Sequence, residues 1–153
     1  MDNNKFEMFF SSISENESFA RVAVAAFLTK LDPTLEEISD IKTAVSEAVT
    51  NAIIHGYEGN KNRQVYLSCE IRNRRIRIEV RDEGVGIADV EKAREPLYTT
   101  KPEMDRSGMG FVFMEVFMDY LEVTSKLGEG TKVVMEKEIG KPLDDESMLE
   151  ETR

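Results

Sequence analysis

Three short stretches carry side chains whose types and spacing could do chemistry. Residues 46–57 read SEAVTNAIIHGY, and Glu47, Asn51 and His55 recur there at i, i+4 and i+8 among Ala, Val and Ile. On a helix that spacing lines a carboxylate, an amide and an imidazole along one side. Such a row is either the wet side of an amphipathic helix or a row aimed at a ligand. Residues 81–87, RDEGVGI, place Asp82 at a strand end, followed by Gly84 and Gly86. Taken alone this is a hairpin turn, but glycines there also let the backbone turn sharply and a flat ligand come close, with Asp82 as a hydrogen-bond acceptor. Residues 106–110, RSGMG, stand directly before a helical pattern. Small residues at a helix start leave outward N–H groups at the positive end of the dipole, which suits phosphates. The stretch is not a Walker loop, since Lys101 is followed by Pro102, and GMG lacks the further glycine of a dinucleotide fingerprint.

The elements that must hold these residues are legible in the periodicity. Residues 5–13 alternate as a strand, with Phe9 adding an apolar side chain on the face opposite Phe6, Met8 and Phe10, which suits an edge that meets another chain. SENE at 14–17 has capping-box spacing before a helical run ending near Leu31. Asp32 or Thr34 caps a second helix over 35–54 that stops against Gly56. Two strands follow, carrying Val65, Leu67, Cys69 and Ile71, then Ile76, Ile78 and Val80. DVEKARE reads as a short helix, and residues 96–110 as a mobile loop rich in turn formers. A helix over 111–120 and strands over 121–125 and 131–139 complete the pattern. No strand–helix–strand alternation occurs, so the expected fold is a two-layer α/β sandwich: one mostly antiparallel mixed sheet with helices on one face.

The chain has 153 residues, 41% apolar and 33% charged, which suits one domain with a full core. That domain is expected over 1–139, with 140–153, holding five acids and two bases, as a disordered acidic tail. A formal charge of −10 and no basic run longer than Arg74-Arg75 disfavour direct nucleic-acid binding. A mononucleotide held by backbone amides and a divalent cation remains compatible. Cys69 is the single cysteine and falls in a strand alternation, so it reads as a small buried residue. The start, MDNNKFEMFF, has no long apolar region, and no uncharged stretch reaches the roughly 18 to 20 residues of a membrane span. The expectation is a cytoplasmic protein with no membrane partner.

Together the stretches are more specific than any one. Glu-x-x-x-Asn on a long helix, Asp-x-Gly-x-Gly after a strand, Gly-x-Gly before a helix and a late GEGT resemble the boxes of the Bergerat-type ATP-binding fold shared by gyrase, Hsp90, histidine kinases and MutL. The resemblance spans roughly residues 5–139. It implies ATP or ADP with Mg²⁺, Asn51 being the metal ligand through its amide oxygen, as a hard cation prefers. It makes Asp82 the acceptor for the adenine amine, Gly84 and Gly86 the turn beside the base, and Thr131 a second polar contact there. Ser107, Gly108, Met109 and Gly110 would cradle the phosphates, with Thr99, Thr100, Lys101 and Arg106 in a closing lid. Glu47, one helical turn before Asn51, would face the γ-phosphate and take a proton from an attacking hydroxyl. His55 is then a structural residue at the helix end.

The strings SENESFAR, VSEAVTNAIIHGY, RDEGVGI, TTKPE and RSGMGF are similar to the anti-sigma factor kinases of spore-forming bacteria. That resemblance implies a homodimer, with Phe9 as a contributor. Such a dimer sequesters a sporulation RNA polymerase sigma factor when nucleotide is bound and phosphorylates a serine of an anti-anti-sigma factor. Glu17 and Arg21 correspond to partner contacts in that family, though from spacing alone they are equally an i, i+4 surface ion pair. The alternatives are a stress-response anti-sigma B kinase, or a nucleotide-gated sigma-binding module with little kinase activity.

Overall fold

A computed structural model describes residues 3–96 and 110–140. One face of its sheet carries the alternating apolar residues, although Tyr66 and Ser68 of the 64–72 strand and Val134 are buried on the other face too, so the expected single buried face is not strict. In β2 (Gln64–Arg72) Val65, Leu67, Cys69 and Ile71 are buried, in β3 (Arg75–Asp82) Ile76, Ile78 and Val80, and in β5 (Gly130–Glu138) Val133 and Met135. These side chains meet α1 (Glu15–Phe27) through Ala20 and Val24, α2 (Leu35–Asn51) through Ile41, Ala44, Val45, Ala48 and Val49, and α4 (Gly110–Phe117) through Phe111 and Met114 in one core cluster. Each large side chain taken out of water there contributes about 1.5 to 3 kcal/mol. Cys69 is fully enclosed, and burial pushes its thiol far above the usual range, so it behaves as an apolar residue.

The strand order is β1-β2-β3-β5-β4, with β1 at Asn4–Ser11 and β4 at Tyr120–Lys126, and every pairing is antiparallel. The expected mixed sheet is therefore wholly antiparallel. Because β5 inserts between β3 and β4, Thr131 pairs with Asp82. β1 is an edge strand, and Phe9 stands 63% exposed on it, its ring 5.2 Å from that of Tyr66. α3 (Val90–Ala93) is a single turn capped by Asp89, whose side chain accepts the Lys92 N–H at 3.1 Å.

Several boundaries differ from expectation. The capping box at Ser14 does not form, because Ser14 has helical φ and ψ and makes no side-chain cap bond. The Glu17 carboxylate is drawn instead to Arg21 at 3.2 Å and to the Ser46 hydroxyl of α2. The box forms one helix later, where Thr34 caps Glu37 N–H at 3.0 Å and the Glu37 side chain accepts Thr34 N–H at 2.9 Å. The first helix stops at Phe27 and a 3-10 turn, Thr29–Leu31, carries the chain into the left-handed Asp32. α4 ends at Phe117, since Asp119 N–H already bonds Glu136 O at 2.9 Å on β5. The second helix keeps α geometry only to Asn51 and widens into a π-helical turn, Ala52–Gly56.

Candidate functional site

One end of the site hangs from α2 and the other from the end of β3. The core face of α2 is set by Ala44, Val45, Ala48 and Val49, all buried, which turns Glu47 and Asn51 sideways toward the start of α4. Both are half-buried, so they are not the wet side of the helix. Gly110 lies against them. A Cβ at that position would stand 3.1 Å from Asn51 Nδ2 and 3.2 Å from Glu47 Oε2, closer than side chains normally pack. Glycine thus lets the first residue of α4 touch both polar groups. A helix start leaves N–H groups without intrahelical partners, and one set against an amide and a carboxylate is a setting that suits phosphate and a hard cation. His55 sits in the π-helical turn beyond them, half-buried. Such turns are rare and frequent at functional sites.

The other end is Asp82. It is 8% exposed, and its carboxylate accepts backbone N–H groups from Gly84, at 2.9 Å, and from Thr131. Burial outweighs those bonds and pushes the carboxyl up to about 6. The loop that follows is locked by close backbone approach. Val85 N–H donates to Gly56 O at 2.9 Å, and a Cβ on Gly84 would lie 1.9 Å from that same oxygen. Gly86 needs its hydrogen side chain for a positive φ of 76°. Thr131 presents its hydroxyl to Ser125 Oγ at 2.8 Å, and the Ser125 hydroxyl also accepts Ile87 N–H at 2.7 Å.

The structure therefore brings Glu47, Asn51 and Gly110 together at one end, and Asp82, Gly84, Gly86 and Thr131 at the other. Thr99, Thr100, Lys101, Arg106, Ser107, Gly108 and Met109 lie outside the described residues. Sequence reasoning took Gly56 for a helix stop only. In the structure a Cβ there would stand 2.6 Å from the Asp82 carboxylate, so it is the floor on which that carboxylate rests. Ser125 and Tyr57 were likewise missed, because a lone hydroxyl in a strand or after a helix carries no periodic signal. Among the described residues no group of three or more His, Cys, Asp or Glu could hold a metal, and no helix is long and apolar enough to cross a membrane.

Glu17 and Arg21 lie on α1, where Glu17 accepts from the hydroxyl of Ser46, the residue before Glu47. They contact each other, and Arg21 also reaches Ser18 Oγ at 3.1 Å. On the other side of α1 Phe19 and Val22 are 55% and 57% exposed.

Residues 10–137 match the family model of the histidine kinase-like ATPase domain. The chain is 56% identical over 138 residues to an anti-sigma F factor of Oceanobacillus iheyensis, covering 90% of this chain and 94% of that one. It is 61% identical over 134 residues to an anti-sigma F factor of Clostridium acetobutylicum, covering 88% and 93%. A crystal structure of the RsbU and RsbW domains of a Mycobacterium tuberculosis protein superposes with a TM-score of 0.66 at 16% identity. That likeness covers 91% of this chain but spans only 33% of the solved one, and it speaks for the fold alone. By its domain match and its identity to these relatives over nearly their whole length, the chain belongs to the anti-sigma F factor family of histidine kinase-like ATPase domains.

Proposed function

We propose that this protein is an anti-sigma factor that binds ATP or ADP, sequesters a sporulation sigma factor, and acts as a serine kinase on an anti-anti-sigma factor. The observation that carries the reading is the meeting of Glu47 and Asn51 with Gly110 at the start of α4, across the site from a buried Asp82. Asp82 offers a desolvated acceptor for the adenine amine, and Thr131 stands beside it in the ladder. Gly110, with Ser107, Gly108 and Met109, is assigned to the phosphates, and Thr99, Thr100, Lys101 and Arg106 to the loop over them. The donor set fits Mg²⁺, because an amide oxygen on a half-buried helix face is a hard ligand and the other positions fall to phosphate and water. Asn51 would hold the ion, which when bound neutralises phosphate charge.

Glu47 accepts the proton of the substrate serine as its oxygen bonds to the γ-phosphorus and the bond to the bridging oxygen of ADP breaks. A carboxylate one turn from Asn51, half-buried and packed on Gly110, suits that role. Glu17 and Arg21 supply the partner surface, and the exposed Phe9 of edge strand β1 contributes to a homodimer.

The test is Glu47→Gln, which keeps size and helix propensity while removing the base. Serine phosphorylation is expected to fall by roughly 100- to 10,000-fold, with ADP affinity and sigma capture retained. Near-normal transfer would remove Glu47 from the chemistry and leave a nucleotide-gated binding module.

A further inference from the structure

We infer that Tyr57 is a positioning residue for base recognition: its hydroxyl is inserted between two strands and sets where the Asp82 carboxylate stands relative to the phosphate end of α2. The inference rests on the reading of Asp82 as the base acceptor, and it follows from how β2 and β3 part.

The two strands pair antiparallel, with Tyr66 opposite Arg81. Continuing that register by two steps sets Gln64 opposite Glu83, but those residues do not bond each other directly. The Tyr57 hydroxyl stands between them, accepting Glu83 N–H at 2.8 Å and donating to Gln64 O at 2.5 Å. A phenol that accepts from one strand and donates to the other acts as a spacer in the ladder. It holds the end of β3 off β2 while Asp82 stays paired with Thr131 of β5. The tyrosine itself is 6% exposed within the core, so the spacer has little freedom to move.

The other backbone group of the same residue is also held. Glu83 O accepts Arg63 Nη2 at 3.0 Å, and the Arg63 guanidinium lies 4.9 Å from the Tyr57 ring centre. Tyr57 follows directly on the π-helical turn, its N–H bonding Ala52 O at 2.9 Å, while Gly56 O holds Val85. Residues 56 and 57 therefore grip the Asp82 loop at Glu83 and Val85. The same helix carries Glu47 and Asn51 at the other end of the site. The wide turn and the hydroxyl together fix the span between the residues assigned to phosphate and the residue assigned to base.

A spacer of this kind acts on base selectivity rather than on nucleotide binding in general. Calorimetry with ADP and GDP on the full chain, above the pH at which Asp82 titrates, separates the two. Tyr57→Phe is expected to weaken ADP by roughly 5- to 30-fold and GDP by about twofold or less, so the ADP preference shrinks; Tm falls in any case, because Glu83 N–H and Gln64 O lose that partner. Arg63→Ala, an exposed change that withdraws the second hold on Glu83, is expected to act in the same direction with a smaller effect, and it serves if Tyr57→Phe does not fold. Asp82→Asn is the control and should collapse the preference by itself. A collapse with Asp82→Asn and none with Tyr57→Phe or Arg63→Ala overturns the inference about Tyr57. Equal losses of ADP and GDP with Tyr57→Phe also overturn it, whatever the Tm, since a purely structural hydroxyl behaves that way. Should Asp82→Asn leave the preference intact, the base assignment falls and takes this inference with it.

Discussion

The Asp82 end of the site and the outer face of α1 are built on opposite plans. At Asp82 the geometry is made by backbone: Gly56 O holds Val85, Gly84 passes within contact of that carbonyl, and the carboxylate rests on Gly56 and on two peptide N–H groups. On α1 it is made by side chains: Glu17 and Arg21 pair in partial solvent, Ser46 anchors them to α2, and Phe19 and Val22 point outward. Close-packed backbone has no soft coordinate with which to absorb an added atom, whereas exposed side chains repack at little cost. The first region should therefore fail abruptly under substitution and the second by degrees.

The hardest blow to that contrast is Gly84→Ala. Its methyl group would meet Gly56 O at 1.9 Å, so either the Val85 to Gly56 bond opens or α2 shifts. Overpacking of this kind costs about 1 to 3 kcal/mol or more. Denaturation should show a Tm several degrees lower, and calorimetry should show nucleotide binding lost. A protein with parental Tm and affinity would mean that the loop is pliant and the contrast false.

Asp82 sharpens the same end. Asp82→Asn can set an amide donor against the adenine amine and should weaken ATP and ADP by roughly 5- to 150-fold. Its pH dependence carries two opposite signs. The carboxyl is pushed up to about 6 in the folded protein from the 3.8 of an unperturbed aspartate, so from this group the unliganded fold loses stability as pH rises from 3.8 to about 6 and levels off above it. Nucleotide affinity moves the other way, because protonation below about 6 removes an acceptor. Titrating both quantities from about pH 4 to 8 on parent and Asp82→Asn isolates the effect; parallel trends would contradict it.

The smallest change belongs to α1. Arg21→Ala removes a half-exposed i, i+4 pair worth about 0.3 to 0.5 kcal/mol, so Tm should barely move. Sigma capture should nonetheless weaken by roughly 5- to 30-fold if Arg21 is a partner contact of ordinary interface strength. Unchanged capture would leave Glu17 and Arg21 as a surface ion pair and no more.

How far the sequence carried depends on the kind of feature. Local patterns read well: the alternation of β2 and β3, the Thr34 cap, the short α3 and the helical row Glu47-Asn51 all appear where periodicity placed them. Local patterns that compete with tertiary contacts read badly. Ser14 and Glu17 have capping-box spacing, yet the Glu17 carboxylate is held by Arg21, a pairing its i, i+4 spacing offered, and by the Ser46 hydroxyl on another helix, which no string of neighbours reveals.

By itself the sequence determined the chemistry on offer: a carboxylate and an amide one turn apart, an acid at a strand end, and glycines where only hydrogen fits. Those follow from residue type and from the fixed periods of helix and strand. Only the tertiary structure decided what these groups face. It placed β5 between β3 and β4, so that Thr131 came opposite Asp82, and it widened the end of α2 into a π-helical turn. It also made Gly56 a floor for a carboxylate and Tyr57 a spacer between strands. These are contacts between segments far apart in the chain, set by packing density and by the need to satisfy buried N–H groups, and no local period encodes them.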